Sequence, residues 1–158
     1  MAARRSKEER AKSKRRPRRQ YAALPLTQGR NGERMVMLIT SRETGRWVIP
    51  KGWPKKGLEP HALAAREAFE EAGLRGEIGH EPIGRYDYAK RLRGGRTVPC
   101  EVEVFALSVM GQDDDWPEKG QRATRWFTPA EAATMVEESG LNALLLKLVG
   151  TDAAVEQA

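Results

Sequence analysis

From Tyr21 onward, short apolar runs alternate with turn residues. YAALPLT (21–27), RMVMLITSR (34–42) and RWVIP (46–50) are rich in large and β-branched apolar residues, and Gln28-Gly29-Arg30-Asn31-Gly32 and Glu43-Thr44-Gly45 separate them. The pattern predicts three successive strands at hairpin-like spacing. The period then changes. Glu59-Pro60 opens an alanine-rich stretch, HALAAREAFEEA, that stops at Gly73. Proline suits a first helical turn, where its missing N–H is not needed, and glycine suits a left-handed cap just past the end, so this is the most secure helix of the chain. Further strands are expected over 77–88 and 98–108, joined by the turn RLRGGR, with a short one over 124–127. Thr128-Pro129-Ala130-Glu131 reads as a capping box opening a second helix through about residue 138, and a last amphipathic helix is expected near 141–149. Strands interleaved with helices make this an α/β chain.

Length and charge sharpen the picture. The 158 residues fit one globular domain, large enough to bury a core without disulfides or a structural metal. Cys100 is the single cysteine, so no intrachain bridge exists. The longest apolar runs, 35–40 and 141–149, are far shorter than a membrane span, and the N-terminus has no apolar signal core. A soluble protein of a reducing, cytoplasmic setting is expected. The formal charge of +6 is unevenly spread: residues 1–20 hold ten Lys/Arg and two Glu, a local +8, which leaves −2 for residues 21–158. A stretch so basic and so poor in apolar side chains reads as a disordered arm, with 21–150 as the folded domain and 151–158 as a flexible tail. The arm is either a solvated tail or a weak contact for nucleic acid or another polyanion through counterion release.

Candidate chemistry lies in the first helix. Glu67, Glu70 and Glu71 stand at i, i+3 and i+4, within an arc of roughly 100°. Like charges at this spacing repel, so a compensating cation is expected, and a hard divalent ion such as Mg²⁺ suits carboxylate oxygens. Arg66, four residues before Glu70, can brace it. A solvated acidic face is the plain alternative. The preceding loop, Pro50-Lys51-Gly52-Trp53-Pro54-Lys55-Lys56-Gly57, changes the balance, because it combines restricted backbone with anion-binding lysines.

Together, Gly52 through Leu74 resembles the Nudix box, G-x5-E-x7-R-E-U-x-E-E-x-G-U with U bulky and aliphatic. Gly52, Arg66, Glu67, Glu70, Glu71, Gly73 and Leu74 match in register. Leu58 stands where the consensus has Glu, with Glu59 one residue late, and Ala68 takes the first aliphatic position. The resemblance implies an α/β/α sandwich around a mixed β-sheet and hydrolysis of a phosphoanhydride. It assigns Glu67 and Glu71 to Mg²⁺ or Mn²⁺, with Glu70 beside them and a backbone carbonyl of Lys51 or Gly52. Glu70 is the leading general base, with Glu67 as its rival, and Arg66 completes the catalytic group.

The wider stretch from Trp47 to Leu74, with DWPEKGQRATRWFTPAEA, is similar to the diphosphoinositol polyphosphate and diadenosine polyphosphate phosphohydrolases. Such substrates are polyanionic, and Lys51, Lys55, Lys56, Arg85, Lys90, Arg91, Arg93 and Arg96 are the expected substrate cations. Trp53 either stacks on a base or inositol face or closes the loop against the sheet. Two rivals stay open: a catalytically weak Nudix domain that binds RNA or other polyanions, and an RNA 5′-end pyrophosphohydrolase. His61 and His80 lack metal-ligand spacing, and Cys100 reads as a small buried hydrophobe.

Overall fold

A computed structural model describes residues 17–150. The three expected leading strands form as β1 (Arg18–Gln28), β2 (Arg34–Thr40) and the short β3 (Trp47–Val48), with a further two-residue strand, β4 (Lys51–Gly52). Helix α1 (Pro60–Ala72) follows, then β5 (Leu74–Ile78), β6 (Gly84–Arg91), a 3₁₀ turn (Arg93–Gly95), β7 (Thr97–Gln112), β8 (Thr124–Phe127), α2 (Pro129–Met135) and α3 (Ser139–Lys147). All eight strands join one mixed sheet, in which β1 runs parallel to β7 and the other pairings are antiparallel.

β1 and β2 pair only at one end, through Leu26↔Val36, Thr27↔Met35 and Gln28↔Arg34, and then diverge. The gap between them is filled by β3 on Ile39 and Thr40 and by β4 on Tyr21 and Ala22. β7 is long enough to pair with β6 along its first half and with β5 along its second. That length corrects the expected single strand over 77–88. It is two strands, interrupted where Gly79 and Ile83 bond to Ala106 and Val104 of β7. The helix expected through about residue 138 ends at Met135, and the last helix runs Ser139–Lys147. β1 begins at Arg18, so its first three residues belong to the sheet rather than to the basic arm. Residues 1–16 of that arm and the tail 151–158 lie outside the described residues.

Alternation along the strands divides the core into two layers. Ala22, Leu24, Val36, Leu38, Val102 and Val104 face α2 and α3 and pack with Ala132, Leu141, Leu144 and Leu145. Ala23, Met37, Ile39, Phe105 and Leu107 point the other way, onto Ala64, Ala68 and Ala72 of α1. Both faces of the sheet are therefore covered, as the α/β/α reading requires.

Candidate active site

Helix α1 carries the carboxylates, and its position is set at both ends. Pro60 opens it, and Gly73 closes it in the left-handed conformation (φ 71°) with its N–H on Phe69 O at 2.8 Å. Alanines at 64, 68 and 72 are small enough to bring this face of the helix close onto the sheet. The end of β7 and the segment after it then satisfy carbonyls at the end of the helix. Gln112 Nε2 donates to Ala72 O (2.9 Å), Asp113 N–H to Gly73 O (2.9 Å) and Glu118 N–H to Glu70 O (3.0 Å). Trp116 lies over Gly73, where a Cβ would overlap its indole, so this tryptophan anchors the segment on α1.

The box begins at Gly52 for a steric reason. A Cβ there would overlap the carboxylate of Glu67, which packs directly against the backbone of β4. Glu67 and Glu71 are 9% and 6% exposed. Burial, followed by the neighbouring charge of Glu70, pushes the Glu67 carboxyl up to about 7. Burial also pushes Glu71 up to about 7, against the opposing pull of Arg122. Both oxygens of Glu71 have partners: Lys51 N–H donates to Oε2 (3.2 Å), and Arg122 Nη2 lies 3.3 Å from Oε1. Glu70 is half-buried, with Arg66 Nε at 4.0 Å.

The expected convergence of Glu67, Glu70 and Glu71 is only partial. They share one arc of α1, yet each turns to a different partner, and among the described residues no three His, Cys, Asp or Glu side chains gather as a metal-holding group. The physical reason is that each has its own neighbour: Glu67 packs on the Gly52 backbone, Glu71 is held by Lys51 N–H and Arg122, and Glu70 faces Arg66. The donor chemistry nonetheless suits Mg²⁺ or Mn²⁺: hard carboxylate oxygens on one helix face, against a glycine that leaves them room.

A cleft of about 370 Å³ opens where β1 and β2 diverge, with Gln20, Trp47, Lys51, Glu71, Tyr88 and Arg122 among its lining. Of the expected substrate cations, Lys51, Lys90 and Arg91 line it. Lys51 Nζ sits 5.0 Å from the Tyr88 ring centre, and burial lowers its pKa against the opposing charges of Glu138 and Glu71. Arg85 instead pairs with Glu101 and Glu103 on β7 (3.7 and 3.4 Å). Lys55 and Lys56 are exposed on the loop before α1, and Arg93 and Arg96 are exposed on the turn before β7. None of these five lines the cleft. Trp53 is 37% exposed, with Lys90 Nζ 5.8 Å from its ring centre, so it does not close against the sheet. His61 and His80 stack on each other with ring centres 4.1 Å apart.

Sequence reasoning missed the residues that hold the carboxylates. Arg122 is nearly buried, bonded to Glu118 Oε1 through Nε (3.0 Å) and Nη2 (3.0 Å), and to Thr40 O through Nη1 (3.1 Å). Arg42 reaches Glu118 at 3.5 Å, and Arg42 and Arg46 both line the cleft. Arg122 stands 51 residues from Glu71, so no local pattern could have joined them.

Comparison with known proteins decides the family. The model of the NUDIX domain matches residues 17–149. The chain belongs to the Nudix family. Its Nudix domain is similar to Nudix hydrolase 12, mitochondrial, of Arabidopsis thaliana, with 33% identity over 104 residues, 61% of this chain and 49% of the relative. It is also similar to diphosphoinositol polyphosphate phosphohydrolase 3-beta of Bos taurus, 29% identical over 107 residues, 66% of this chain and 61% of the relative. The chain thus spans about half to three fifths of the length of these curated relatives. The crystal structure of the C. elegans Ap4A hydrolase shares the fold, with a TM-score of 0.59 at 18% identity, covering 85% of this chain and 97% of that one. Among the described residues no helix is long and apolar enough to cross a membrane.

Proposed function

We propose that this Nudix domain hydrolyses a phosphoanhydride bond of a polyphosphorylated small molecule, of the diphosphoinositol polyphosphate or diadenosine polyphosphate type, with Mg²⁺ or Mn²⁺ as cofactor. The observation that carries the reading is the placement of Glu71, buried on α1, in the wall of a cleft that also presents Lys51, Lys90, Arg91, Arg42 and Arg122. Two relatives with matching names support the substrate class: the bovine diphosphoinositol polyphosphate phosphohydrolase and the nematode Ap4A hydrolase. A cytoplasmic setting belongs to the same proposal, alongside relatives named for mitochondria and a free, buried Cys100.

Glu67 and Glu71 would hold the ion, with Glu70 and the carbonyl of Gly52 or Lys51 as further donors. When bound, the ion neutralises phosphate oxygens that would otherwise repel an attacking water. The protein supplies the rest. Gly52 leaves room for Glu67, and Lys51 N–H with Arg122 orients Glu71, so the backbone and cations around both carboxylates are already in place. Glu70 is less buried and faces Arg66, an arrangement that suits the acceptor of the water's proton, with Arg66 as its orienting charge. Lys51, Lys90 and Arg91 meet the remaining phosphates, and exposed Trp53 offers a flat face to a base or ring.

The test is a substrate panel of diadenosine polyphosphates, diphosphoinositol phosphates and 5′-triphosphate RNA, with Mg²⁺ and with chelator. Metal-dependent release of product from the first two is expected. Preferred release of pyrophosphate from RNA would move the assignment to 5′-end processing. Tight, metal-independent RNA binding without product would replace hydrolysis by a binding role.

A further inference from the structure

The link between α2 and α3 also reaches the cleft. A backbone bridge joins Trp47 of β3 to Val136, and two residues later Glu138 enters the lining. The link is fixed in place, because Val136 is buried and Asn142 N–H of α3 donates to Glu138 O (2.9 Å). Trp47, edge-on to Phe127 with ring centres 5.3 Å apart, lines the same cleft with Val48, Ile49 and Tyr88. The ordinary roles of an acid at a helix start are not taken up. Glu138 stands at the N-cap of α3, yet its side chain makes no capping bond. Two other acids of the cleft have cations of their own, Glu137 with Arg46 at 2.6 Å and Glu71 with Arg122 at 3.3 Å. Glu138 joins no ion pair among the described residues, and its Oε1 is buried without a hydrogen-bond partner.

A carboxylate placed in this way costs free energy unless a donor meets it. Lys51, Lys90 and Arg46 act on it from a distance and oppose the burial that pushes its carboxyl up. Phosphates cannot serve as its partner, because like charges repel. The cleft is therefore divided: its cations suit phosphate oxygens, while Glu138, beside aromatic and aliphatic side chains, suits an uncharged, flat group that carries an N–H or O–H. We infer that Glu138 determines specificity, accepting a hydrogen bond from the nucleoside part of a dinucleoside polyphosphate and excluding an inositol ring that carries phosphate on every carbon. This rests on the proposed hydrolase reading and narrows its substrate class to the nucleotide side.

The test compares diadenosine tetraphosphate with an analogue built on purine riboside, which lacks the amino group, with one built on 2′-deoxyadenosine, and with a diphosphoinositol polyphosphate phosphorylated on every ring carbon. Values of kcat/KM with Mg²⁺, and of Kd by calorimetry in chelator, are measured for the full chain and for Glu138→Gln, Glu138→Met and Glu138→Lys. In the parent, loss of the bonded donor should lower kcat/KM and raise Kd on the order of tenfold, and the two analogues show whether that donor is the amino group or the ribose hydroxyl. Glu138→Met should no longer distinguish that analogue from the adenosine compound, whereas Glu138→Gln keeps an acceptor oxygen and part of the preference. Both variants should shift preference toward the inositol compound by about tenfold, and Glu138→Lys further, because a negative charge is removed and then reversed. Equal ratios in the parent and in whichever variants fold, or a parent indifferent to both analogues, overturn the inference and leave the hydrolase reading standing. If the parent turns over none of the compounds, the hydrolase reading fails, and the Kd ratios still decide the role of Glu138.

Discussion

The two faces of the sheet are built to different ends. Beneath α2 and α3, seventeen buried residues form one layer in which leucines 141, 144, 145 and 148 interlock with valines and leucines of the strands. Beneath α1, the layer has ten, to which the helix contributes Ala64, Ala68 and Ala72, with Leu63 of the same helix also fully buried. The small side chains draw α1 close, and its flank carries Glu67 and Glu71, buried charges that cost folding free energy. One face therefore holds more of the buried apolar side chains, and the other carries the carboxylates proposed for the chemistry. The two functions are separable by mutation, and this separability makes the comparison testable.

The largest effect is expected on the α1 face. Glu70→Gln should lower kcat by about 10²–10⁴ if Glu70 takes the proton from water. Glu71→Gln should cut turnover at a smaller cost in Tm than a core truncation, since the amide oxygen can still accept from Lys51 N–H and Glu118 still pairs with Arg122. Paired activity and melting measurements check both. Unchanged turnover in pure Glu70→Gln removes Glu70 from the base role, and a large fall in Tm for Glu71→Gln breaks the contrast between the faces.

The opposite result is expected from Leu145→Ala on α3. Leu145 is fully buried, and its truncation should cost about 2–5 kcal/mol of stability. Activity per folded molecule should stay near the parent value below the new Tm. A loss of kcat in fully folded Leu145→Ala would show that the leucine layer shapes the site after all.

A pH titration in chelator sharpens the same contrast. The carboxyls of Glu67 and Glu71 lie at about 7 in the folded chain, against 4.5 for a free glutamate. Between these values the native state binds more protons than the unfolded one, so their contribution is fully present below about 4.5 and is lost as pH rises through about 7. Denaturant midpoints of the parent should fall across that window. Glu71→Gln should flatten part of the fall, and Leu145→Ala should leave its shape unchanged. An identical slope in Glu71→Gln would remove Glu71 from the titration.

What could be read beforehand follows from the range of the interactions. Helix α1, its Pro60 start, its Gly73 end and the Thr128–Glu131 capping box are local, and all four appear in the structure. The break between β5 and β6 was not foreseen, because both strands pair with the same long β7 and the chain stays close to it across Gly79–Ile83. The box residues on α1 were legible from their spacing. Their partners were not: Arg122 and Glu118 reach α1 only through the path of the sheet, and Lys51 acts on Glu71 through its backbone N–H, which no side-chain pattern displays. Charge alone also overcounted the cleft. Arg85 has the composition of a phosphate ligand, but its strand position turns it to Glu101 and Glu103.

The smallest effect tests the helix cap over the leucine-rich layer. Thr128 accepts the Glu131 N–H through its hydroxyl (3.2 Å), and the Glu131 carboxylate accepts from the Thr128 hydroxyl (2.8 Å) and N–H (3.3 Å). Thr128→Ala removes the reciprocal arrangement and should cost about 1 kcal/mol. Thr128→Ser keeps the hydroxyl and should recover most of it. Because α2 covers the face opposite the carboxylates, kcat and KM should not change in either variant. Equal losses in Ala and Ser would mean that the methyl group of Thr128, rather than its hydroxyl, matters to α2. A shift in KM would place α2 in contact with the cleft and soften the division between the two faces.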